Sequence, residues 1–162
     1  MIGNSRMRAP LALKTALAIA PIPGIIEASA AKLLRYRKLI GAERVQVWTD
    51  VKKKHSAHAI TADVSLGETA ETVEFMGADC VIVTGSVTGQ APKVADIQEA
   101  KSHCHLPVFL GSGISESNLE QFYEEADGFI IGTSFKVVGL WSNAVDPLRV
   151  TQLIRRYEIL NR

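Results

Sequence analysis

Four short apolar runs, each leading into glycine, threonine, serine or aspartate, constrain the fold of this chain more than any other feature. The runs are VQVWTD (45–50), CVIVTG (80–85), PVFLGSG (107–113) and GFIIGTS (128–134). We interpret each run as apolar on both faces, which is typical of a parallel strand that is covered on both sides. The runs therefore predict four buried parallel strands.

Helical patterns fill the intervals between these runs. Ser65 followed by Glu68 forms a capping-box pattern, with apolar residues at helical spacing after it. Helix starts are predicted at residue 25, after Ser65, at Pro92, after Ser115 and at Asp146-Pro147. Alternating helices and strands predict a parallel sheet with right-handed crossovers. The sheet is either an open doubly wound sheet or part of a (β/α)8 barrel.

The length of the chain limits how much of a barrel it can form. A complete (β/α)8 barrel needs about 200–250 residues, whereas this chain has 162. We therefore predict an α/β fold that comprises the C-terminal half of a (β/α)8 barrel, with four parallel strands and alternating helices. Residues 24–162 are assigned to this partial barrel domain, and residues 1–23 to a leader that is disordered or poorly packed.

Composition and charge exclude several classes of function. Lys and Arg together number 18 and Asp and Glu 17, which gives a net charge of +1. This balance provides no electrostatic footprint for nucleic acid or a membrane surface. No apolar run approaches the roughly 20 residues of a membrane-spanning helix. The two cysteines, Cys80 and Cys104, do not form a disulfide framework, so a reducing, cytoplasmic location is predicted.

The first 26 residues contain Arg6, Arg8 and Lys14 but no acidic residue. A basic segment without acids is also typical of organelle-targeting peptides. A mitochondrial or plastid location is therefore the alternative to a cytoplasmic one.

Small and polar residues follow every predicted strand, at the edge where βα sheets bind ligands. The predicted phosphate-binding residues are Gly111, Ser112, Gly113, Gly132 and Thr133. Glycine lets backbone N–H groups approach an anion closely, and two adjacent loops could hold a phosphate between them. The alternative is that these glycines only form turns.

The polar residues at the other strand ends are candidates for chemistry and for substrate binding. Asp50, Lys54 and His55 are the predicted catalytic residues, because a carboxylate and an imidazole can transfer protons. Alternatively, Asp50 caps a turn and the lysines form a solvated loop. The predicted substrate-binding residues are Thr84, Gly85, Thr88, Gly89 and Lys136.

Two other features are interpreted as structural. The sequence His103-Cys104-His105 lies between a helix and a strand, on the side opposite the predicted site, and three consecutive residues rarely bind one tetrahedral ion. No metal site is predicted, and the residues do not identify a cofactor. Tyr123 and Trp141 are predicted to be packing residues.

The chain resembles the BtpA family in four segments, LLRYRKLIGAERVQVWTDVKKKHSAH, GADCVIVTGSVTG, PVFLGSGISESNL and ADGFIIGTSFKVVG. Its Asp-x-x-x-Lys-His pattern is Asp50, Lys54 and His55, and its Thr-Gly-x-x-Thr-Gly loop is 84–89. The resemblance begins at about Gly24. It implies a fold similar to the ribulose-phosphate-binding barrels, with the first three strands absent. Cyanobacterial members are implicated in photosystem I biogenesis.

Two functions are consistent with these residues. The first is binding, and conversion by an unknown reaction, of a phosphorylated small molecule such as a sugar phosphate or a nucleotide-like metabolite. The second is a non-catalytic assembly or stability factor, as in photosystem I biogenesis. Either way, open sheet edges and an exposed apolar inner face predict association, most simply as a homo-oligomer. Aggregation and pairing with a missing N-terminal half are the alternatives.

Overall fold

The computed structural model describes residues 12–13, 29–52, 61–85 and 89–162. Its five strands, in chain order, are β1 (Ala12–Leu13), β2 (Trp48–Asp50), β3 (Cys80–Val83), β4 (Val108–Leu110) and β5 (Gly128–Ile131). Its α-helices are α1 (Ala30–Leu39), α2 (Leu66–Phe75), α3 (Val94–His103), α4 (Leu119–Tyr123) and α5 (Pro147–Leu160).

The strands form one parallel sheet in the order β1-β5-β4-β3-β2. Within β2 to β5 every strand therefore lies beside its neighbour in the sequence. Trp48 pairs with Cys80, Val81 with Val108, and Phe109 with Gly128. The four predicted strands are confirmed, although each is shorter than its apolar run.

Among the described residues, helices α2 to α5 pack against one face of the sheet. Alternate residues of β3 to β5, such as Val81, Leu110 and Phe129, share a core with buried residues of α2 to α5. The opposite face holds a separate cluster of Cys80, Ile82, Phe109 and Ile130, with Trp48 packed against it. A doubly wound sheet carries helices on both faces, whereas consecutive units with helices outside form a (β/α) barrel. The predicted fold class, part of such a barrel, is confirmed.

This inner face is closed, which corrects one expectation. The apolar inner residues of β3 and β5 were expected to be exposed, yet Cys80 is 2% exposed and Ile130 is 5% exposed. The rings of Trp48 and Phe109 lie 4.7 Å apart on the same face. An exposed inner face is therefore no reason for the chain to associate with itself.

The sheet also has one strand that the sequence pattern did not reveal. Ala12 pairs with Ile130 and Leu13 with Ile131, in parallel. These two residues belong to the predicted leader. The predicted domain boundary at residue 24 lies outside the described residues and stays a prediction.

Two aspartates join neighbouring strands of the sheet in the same way, Asp79 between β2 and β3 and Asp127 between β4 and β5. Asp79 donates its backbone N–H to the Val47 carbonyl (2.8 Å) and accepts the Val47 N–H on its carboxylate (2.7 Å). Asp127 makes the same two bonds to Val108, at 2.9 and 2.8 Å. Each carboxylate also pairs with a cation, Arg37 for Asp79 at 2.9 Å and Lys101 for Asp127 at 3.2 Å. We call each such arrangement an aspartate clasp.

The helix starts match the predictions in part. The Ser65–Glu68 capping box is present. Asp146 is the N-cap residue of α5, with Pro147 after it, and its carboxylate accepts the Leu148 N–H. Three starts differ from the predictions: α1 begins at Ala30 rather than at residue 25, α3 begins at Val94 rather than at Pro92, and Asn118, not Ser115, is the N-cap residue of α4. The Asn118 side chain instead accepts the Ser115 N–H at 2.8 Å, because a turn over 116–118 intervenes. Within the described ranges, no helix is both long and apolar enough to span a membrane.

Candidate functional site

The strand-end residues of the predicted site lie on the inner face of the sheet. Side chains alternate along a strand, and Trp48, Ile82, Phe109 and Ile130 face inward. The next inward position on each strand lies two residues further toward the C-terminus. These positions are Asp50, Thr84, Gly111 and Gly132. A Cβ on Gly111 would lie 2.6 Å from both the Ile82 and Thr84 methyl groups, which confirms that it faces inward. The fold thus brings one residue from each of four neighbouring strands to one rim.

Most of the glycines on this rim have a structural reason to be glycine. Gly113 has a φ of +75°, and a Cβ there would lie 2.0 Å from the Ala91 nitrogen. At Gly85 a Cβ would lie 2.2 Å from the Gln90 carbonyl oxygen. The Ser112 hydroxyl donates to the same Gln90 oxygen at 3.2 Å. Residues 90–91 thus pass close to both Gly85 and Gly113, which explains glycine at these two positions.

Gly132 is different. A Cβ there would have no neighbour within 4 Å among the described residues, and its φ of −128° is one that other residues adopt. Packing against the described residues thus does not require glycine at this position. A ligand can approach the backbone closely where no side chain intervenes, and a glycine beside open space on the rim provides such a position.

The two predicted phosphate-binding loops are joined directly. The Ser134 hydroxyl donates a hydrogen bond to the Ile114 carbonyl, which links the loop after β5 to the loop after β4. Residues 133–135 then form a single turn of 3-10 helix, and the buried Phe135 anchors it in the core. Thr133 is half-buried beside Gly132.

Two cations lie close to the loop after β5. Lys136 follows the turn directly, and no described carboxylate pairs with its ammonium group. Arg149, on the first turns of α5, donates to the Ser134 carbonyl at 3.3 Å and lies 3.8 Å from the Asp146 carboxylate. Arg149 was missed from the sequence because only the fold-back of residues 136–146 brings it to this loop.

The predicted catalytic residues are only partly visible. Asp50 is half-buried at the end of β2, with its Oδ1 atom shielded from solvent. Lys54, His55 and Thr88 lie outside the described residues, so their positions stay predictions. The ammonium group of the neighbouring Lys52 donates to the Val64 carbonyl at 2.9 Å.

Two further predicted substrate-binding residues, Thr84 and Gly89, lie in the loop after β3. The Thr84 hydroxyl lies 3.5 Å from the Lys52 carbonyl, and Gly89 has a φ of +83° with no described neighbour within 4 Å of a Cβ. Their role in substrate binding stays a prediction.

The His103-Cys104-His105 segment lies at the opposite end of the sheet, between α3 and β4. The His103 ring is within hydrogen-bond distance of the Glu99 carbonyl (2.9 Å), and His105 pairs with Glu74 at 3.4 Å. The Cys104 side chain is buried. In the described part of the chain, no cluster of histidine, cysteine and carboxylate side chains could hold a metal ion.

Fold and rim together define a class: a partial (β/α) barrel whose strand ends carry a candidate ligand site. The BtpA family model matches residues 13–158, and the chain belongs to the BtpA family.

Relatives share this sequence along half of their own length. An uncharacterised mitochondrial protein of Caenorhabditis elegans is 42% identical over 139 residues, which cover 86% of this chain and 50% of the relative. An uncharacterised protein of Pyrococcus abyssi is 39% identical, with 82% and 49% covered. The photosystem I biogenesis protein BtpA of Synechocystis is 36% identical, with 81% and 45% covered. The chain thus spans about half the length of these relatives.

Solved structures show a partial likeness. Mycobacterium tuberculosis tryptophan synthase matches with a TM-score of 0.49 and 16% identity, covering 86% of this chain and 49% of that one. Phosphoribosyl anthranilate isomerase of Thermus thermophilus matches with a TM-score of 0.48 and 16% identity, covering 83% and 70%.

Proposed function

We propose that this chain binds a phosphorylated small molecule at the rim between the 111–113 and 132–134 loops. The observation that carries the proposal is Gly132, which packing against the described residues does not require to be glycine and which faces open space. Backbone N–H groups next to a residue without a side chain can approach phosphate oxygens closely. The Ser134–Ile114 hydrogen bond would hold the two loops in a fixed relation before the ligand binds.

The nearby cations support an anionic ligand. Lys136 has no described carboxylate partner, and Arg149 is only partly neutralised by Asp146 at 3.8 Å. A guanidinium group and an ammonium group beside a glycine loop are a typical phosphate environment.

The distance across the rim indicates the size of the ligand. Asp50 and Gly132 lie on strands separated by three strand spacings, or about 14 Å measured along the sheet and less across its concave face. A bound phosphate at Gly132 would thus leave room for a sugar or nucleotide-like body that reaches toward Asp50. We assign Asp50 and His55 to acid–base chemistry on that body, with Lys54 or Lys136 stabilising developing negative charge.

Phosphate titration of Gly132→Val and wild-type protein tests the proposal. The variant should fold normally, because a side chain there meets no described atom. Its affinity for inorganic phosphate, measured by calorimetry, should fall by about tenfold or more, or about 1.4 kcal/mol. Equal affinity in both proteins would contradict the proposal.

Two controls separate binding from folding. Gln121→Val, on the exposed side of α4, should leave both phosphate affinity and melting temperature unchanged. Gly113→Ala should lower the melting temperature, since its φ is +75° and its Cβ would meet Ala91.

In a thermal-shift screen of phosphorylated metabolites, Asp50→Asn should retain phosphate binding and lose discrimination among the metabolites.

The second candidate function is a non-catalytic assembly or stability factor. The observation that favours it is the name of the Synechocystis relative, a photosystem I biogenesis protein. Under this alternative Asp50→Asn would change no ligand preference. The mitochondrial relative of C. elegans supports an organelle location as the alternative to a cytoplasmic one. Self-association is also part of the proposal.

A further inference from the structure

β2 is less well covered than the three strands that follow it in the sheet. Every residue of β3, β4 and β5 is buried, whereas Trp48, Thr49 and Asp50 of β2 are half-buried. β2 lies at one end of the strand order, with β3 on one side and no described strand on the other. An edge strand presents backbone groups that can pair with a further strand.

The direction of the backbone hydrogen bonds identifies which groups of β2 face this outer edge. The Val47 carbonyl accepts the Asp79 N–H at 2.8 Å, and the Val51 N–H donates to the Ile82 carbonyl at 3.1 Å. Both bonds run toward β3. Because alternate residues of a parallel strand bond to opposite sides, the backbone N–H and carbonyl of Trp48 point to the outer edge.

Helix α1 lacks the packing that helices within the row have. None of its residues is buried, whereas α3, which also has 10 residues, buries Ile97 and Ala100. Leu33, Tyr36 and Ile40 recur at helical spacing and are exposed, Tyr36 to 59%. This apolar stripe has the spacing of a helix-packing surface.

The stripe on α1 and the outer edge of β2 belong to one surface. In a row of βα units each helix covers the groove between the strand before it and the strand after it. α1 directly precedes β2, and Arg37 ties it to Asp79 at the start of β3. The strand that belongs beneath α1 would therefore lie along the outer edge of β2. We call the surface formed by α1 and this edge the β2 flank.

The opposite end of the sheet already carries a strand. Leu13 of β1 pairs with Ile131 of β5 in parallel, as the first strand of a closed barrel pairs with the last. Further strands of a barrel thus belong between β2 and β1. Apolar side chains are exposed at this end too, and the 70% exposure of Trp141 corrects the prediction that it is a packing residue.

We propose that the β2 flank binds further βα units, with a parallel strand added to β2 and a helix packed on the apolar stripe of α1. The partner is the part of a BtpA-family protein that this chain does not match. A helix alone would leave the outward backbone groups of Trp48 without a strand, and a strand alone would leave the stripe exposed. A βα unit supplies both contacts at once.

The length of the relatives fits this partner. The sheet has five strands, so a complete (β/α)8 barrel requires three more. Three units of a barrel of about 250 residues amount to roughly 90–100 residues. The C. elegans relative matches this chain over 139 residues, which are 50% of its length, so a similar number lies outside the match. The unmatched part is therefore long enough to supply the three units.

Co-expression of this chain with the unmatched part of the C. elegans relative tests the proposal. The two polypeptides should purify as a complex with one copy of each, as measured by sedimentation equilibrium. Hydrogen exchange followed by mass spectrometry should show residues 45–50 protected about tenfold or more relative to the chain alone, because the added strand bonds the Trp48 N–H. Exchange over residues 108–110 should not change, since β4 is already paired on both sides.

Two variants locate the contact. Tyr36→Lys places a charge in the apolar stripe and should weaken binding of the unmatched part by about tenfold or more. Its circular dichroism should match that of wild-type protein, because the side chain is exposed. Gln121→Lys, an exposed position on α4 away from the β2 flank, is the matched control and should bind as wild-type protein does.

Three results would overturn the proposal. They are the absence of a complex, equal binding by the two lysine variants, and a complex in which residues 45–50 exchange as they do in the chain alone. Protection of residues 45–50 that rises with the concentration of this chain by itself would assign the edge to a second copy and contradict the proposal as well.

The β2 flank and the phosphate site can be tested separately. Gly132→Val should bind the unmatched part as wild-type protein does even where it loses phosphate, because Gly132 follows β5 and lies outside the β2 flank.

Discussion

At the scale of single residues, Asp79 shows how one carboxylate can fix the register of a strand. Its oxygen Oδ2 accepts hydrogen bonds from the Val47 N–H and from the Arg37 guanidinium. The backbone N–H of Val47 is the largest cause that lowers the pKa of Asp79 below its ordinary value, and Arg37 lowers it further, although burial opposes both. The ionised form is therefore the form that stabilises the fold.

We predict that Asp79→Asn lowers the free energy of unfolding at neutral pH and that the difference from wild-type shrinks in acid. Because the pKa of Asp79 is lower in the folded than in the unfolded protein, its ionised carboxylate stabilises the fold fully at pH values above the ordinary pKa of 3.8. This stabilisation is lost as the pH falls through the lower pKa of the folded protein. Urea unfolding across pH, followed by circular dichroism, measures the difference. A difference that is unchanged from neutral pH to well below pH 3.8 would show that ionisation is not the cause.

Residue-scale features were only partly predictable from the sequence. The positions of Asp50, Thr84, Gly111 and Gly132 follow from strand ends and alternation, both of which can be read from the apolar runs. The different roles of Gly113 and Gly132 could not be predicted, since they depend on whether residues 90–91 pass close by. The contact of Arg149 with Ser134 likewise depends on a fold-back that has no sequence signature.

At the scale of elements, α2 shows how strongly a helix start can be encoded locally. The Ser65 hydroxyl accepts the Glu68 N–H at 3.0 Å, and the Glu68 carboxylate accepts the Ser65 N–H at 2.8 Å. Both bonds join residues three apart, so their formation needs no tertiary contact. The start of α4 lacks a capping box: the Asn118 side chain accepts the Ser115 N–H and donates to the Gly113 carbonyl, so it bonds to the preceding loop and not to the first turn of its own helix.

We predict that Ser65→Ala lowers the free energy of unfolding by about 1 kcal/mol, the usual cost of losing a helix cap. For a domain of this size the melting temperature should fall by roughly 2–4 °C. Ser65→Asp is the matched control, because aspartate also accepts the N–H at a helix start, and it should unfold near the wild-type temperature. Equal loss in the two variants would assign the effect to packing of Ser65 instead.

At the scale of the whole molecule, the apolar side chains on the inner face of the sheet are buried, whereas many of those on α1 and in residues 137–148 are exposed. The apolar runs alone could not predict this burial, because they indicate which residues face inward but not what packs against them. The Cys80 thiol reports on this closure. Burial is the main cause that raises its pKa to about 12, so almost none of it is thiolate at neutral pH.

We predict that Cys80 in the folded protein reacts very slowly with a thiol-specific disulfide reagent at neutral pH. The Cys104→Ala variant makes Cys80 the sole thiol of the chain, and absorbance of the released reagent follows the reaction. The same variant in concentrated urea should react rapidly, which provides the reference rate. Comparable rates in the two conditions would mean that the inner face opens readily to solvent.

The aspartate clasps bear on how proteins of this kind can change in length. Each clasp closes within one pair of neighbouring strands, β2 with β3 or β4 with β5, and neither crosses from β3 to β4. A gene rearrangement that adds or removes one strand pair with its helices leaves the clasp of every other pair intact. The two strands joined by a clasp, with the cation that pairs with its carboxylate, thus form a unit whose internal bonds do not depend on the neighbouring pair.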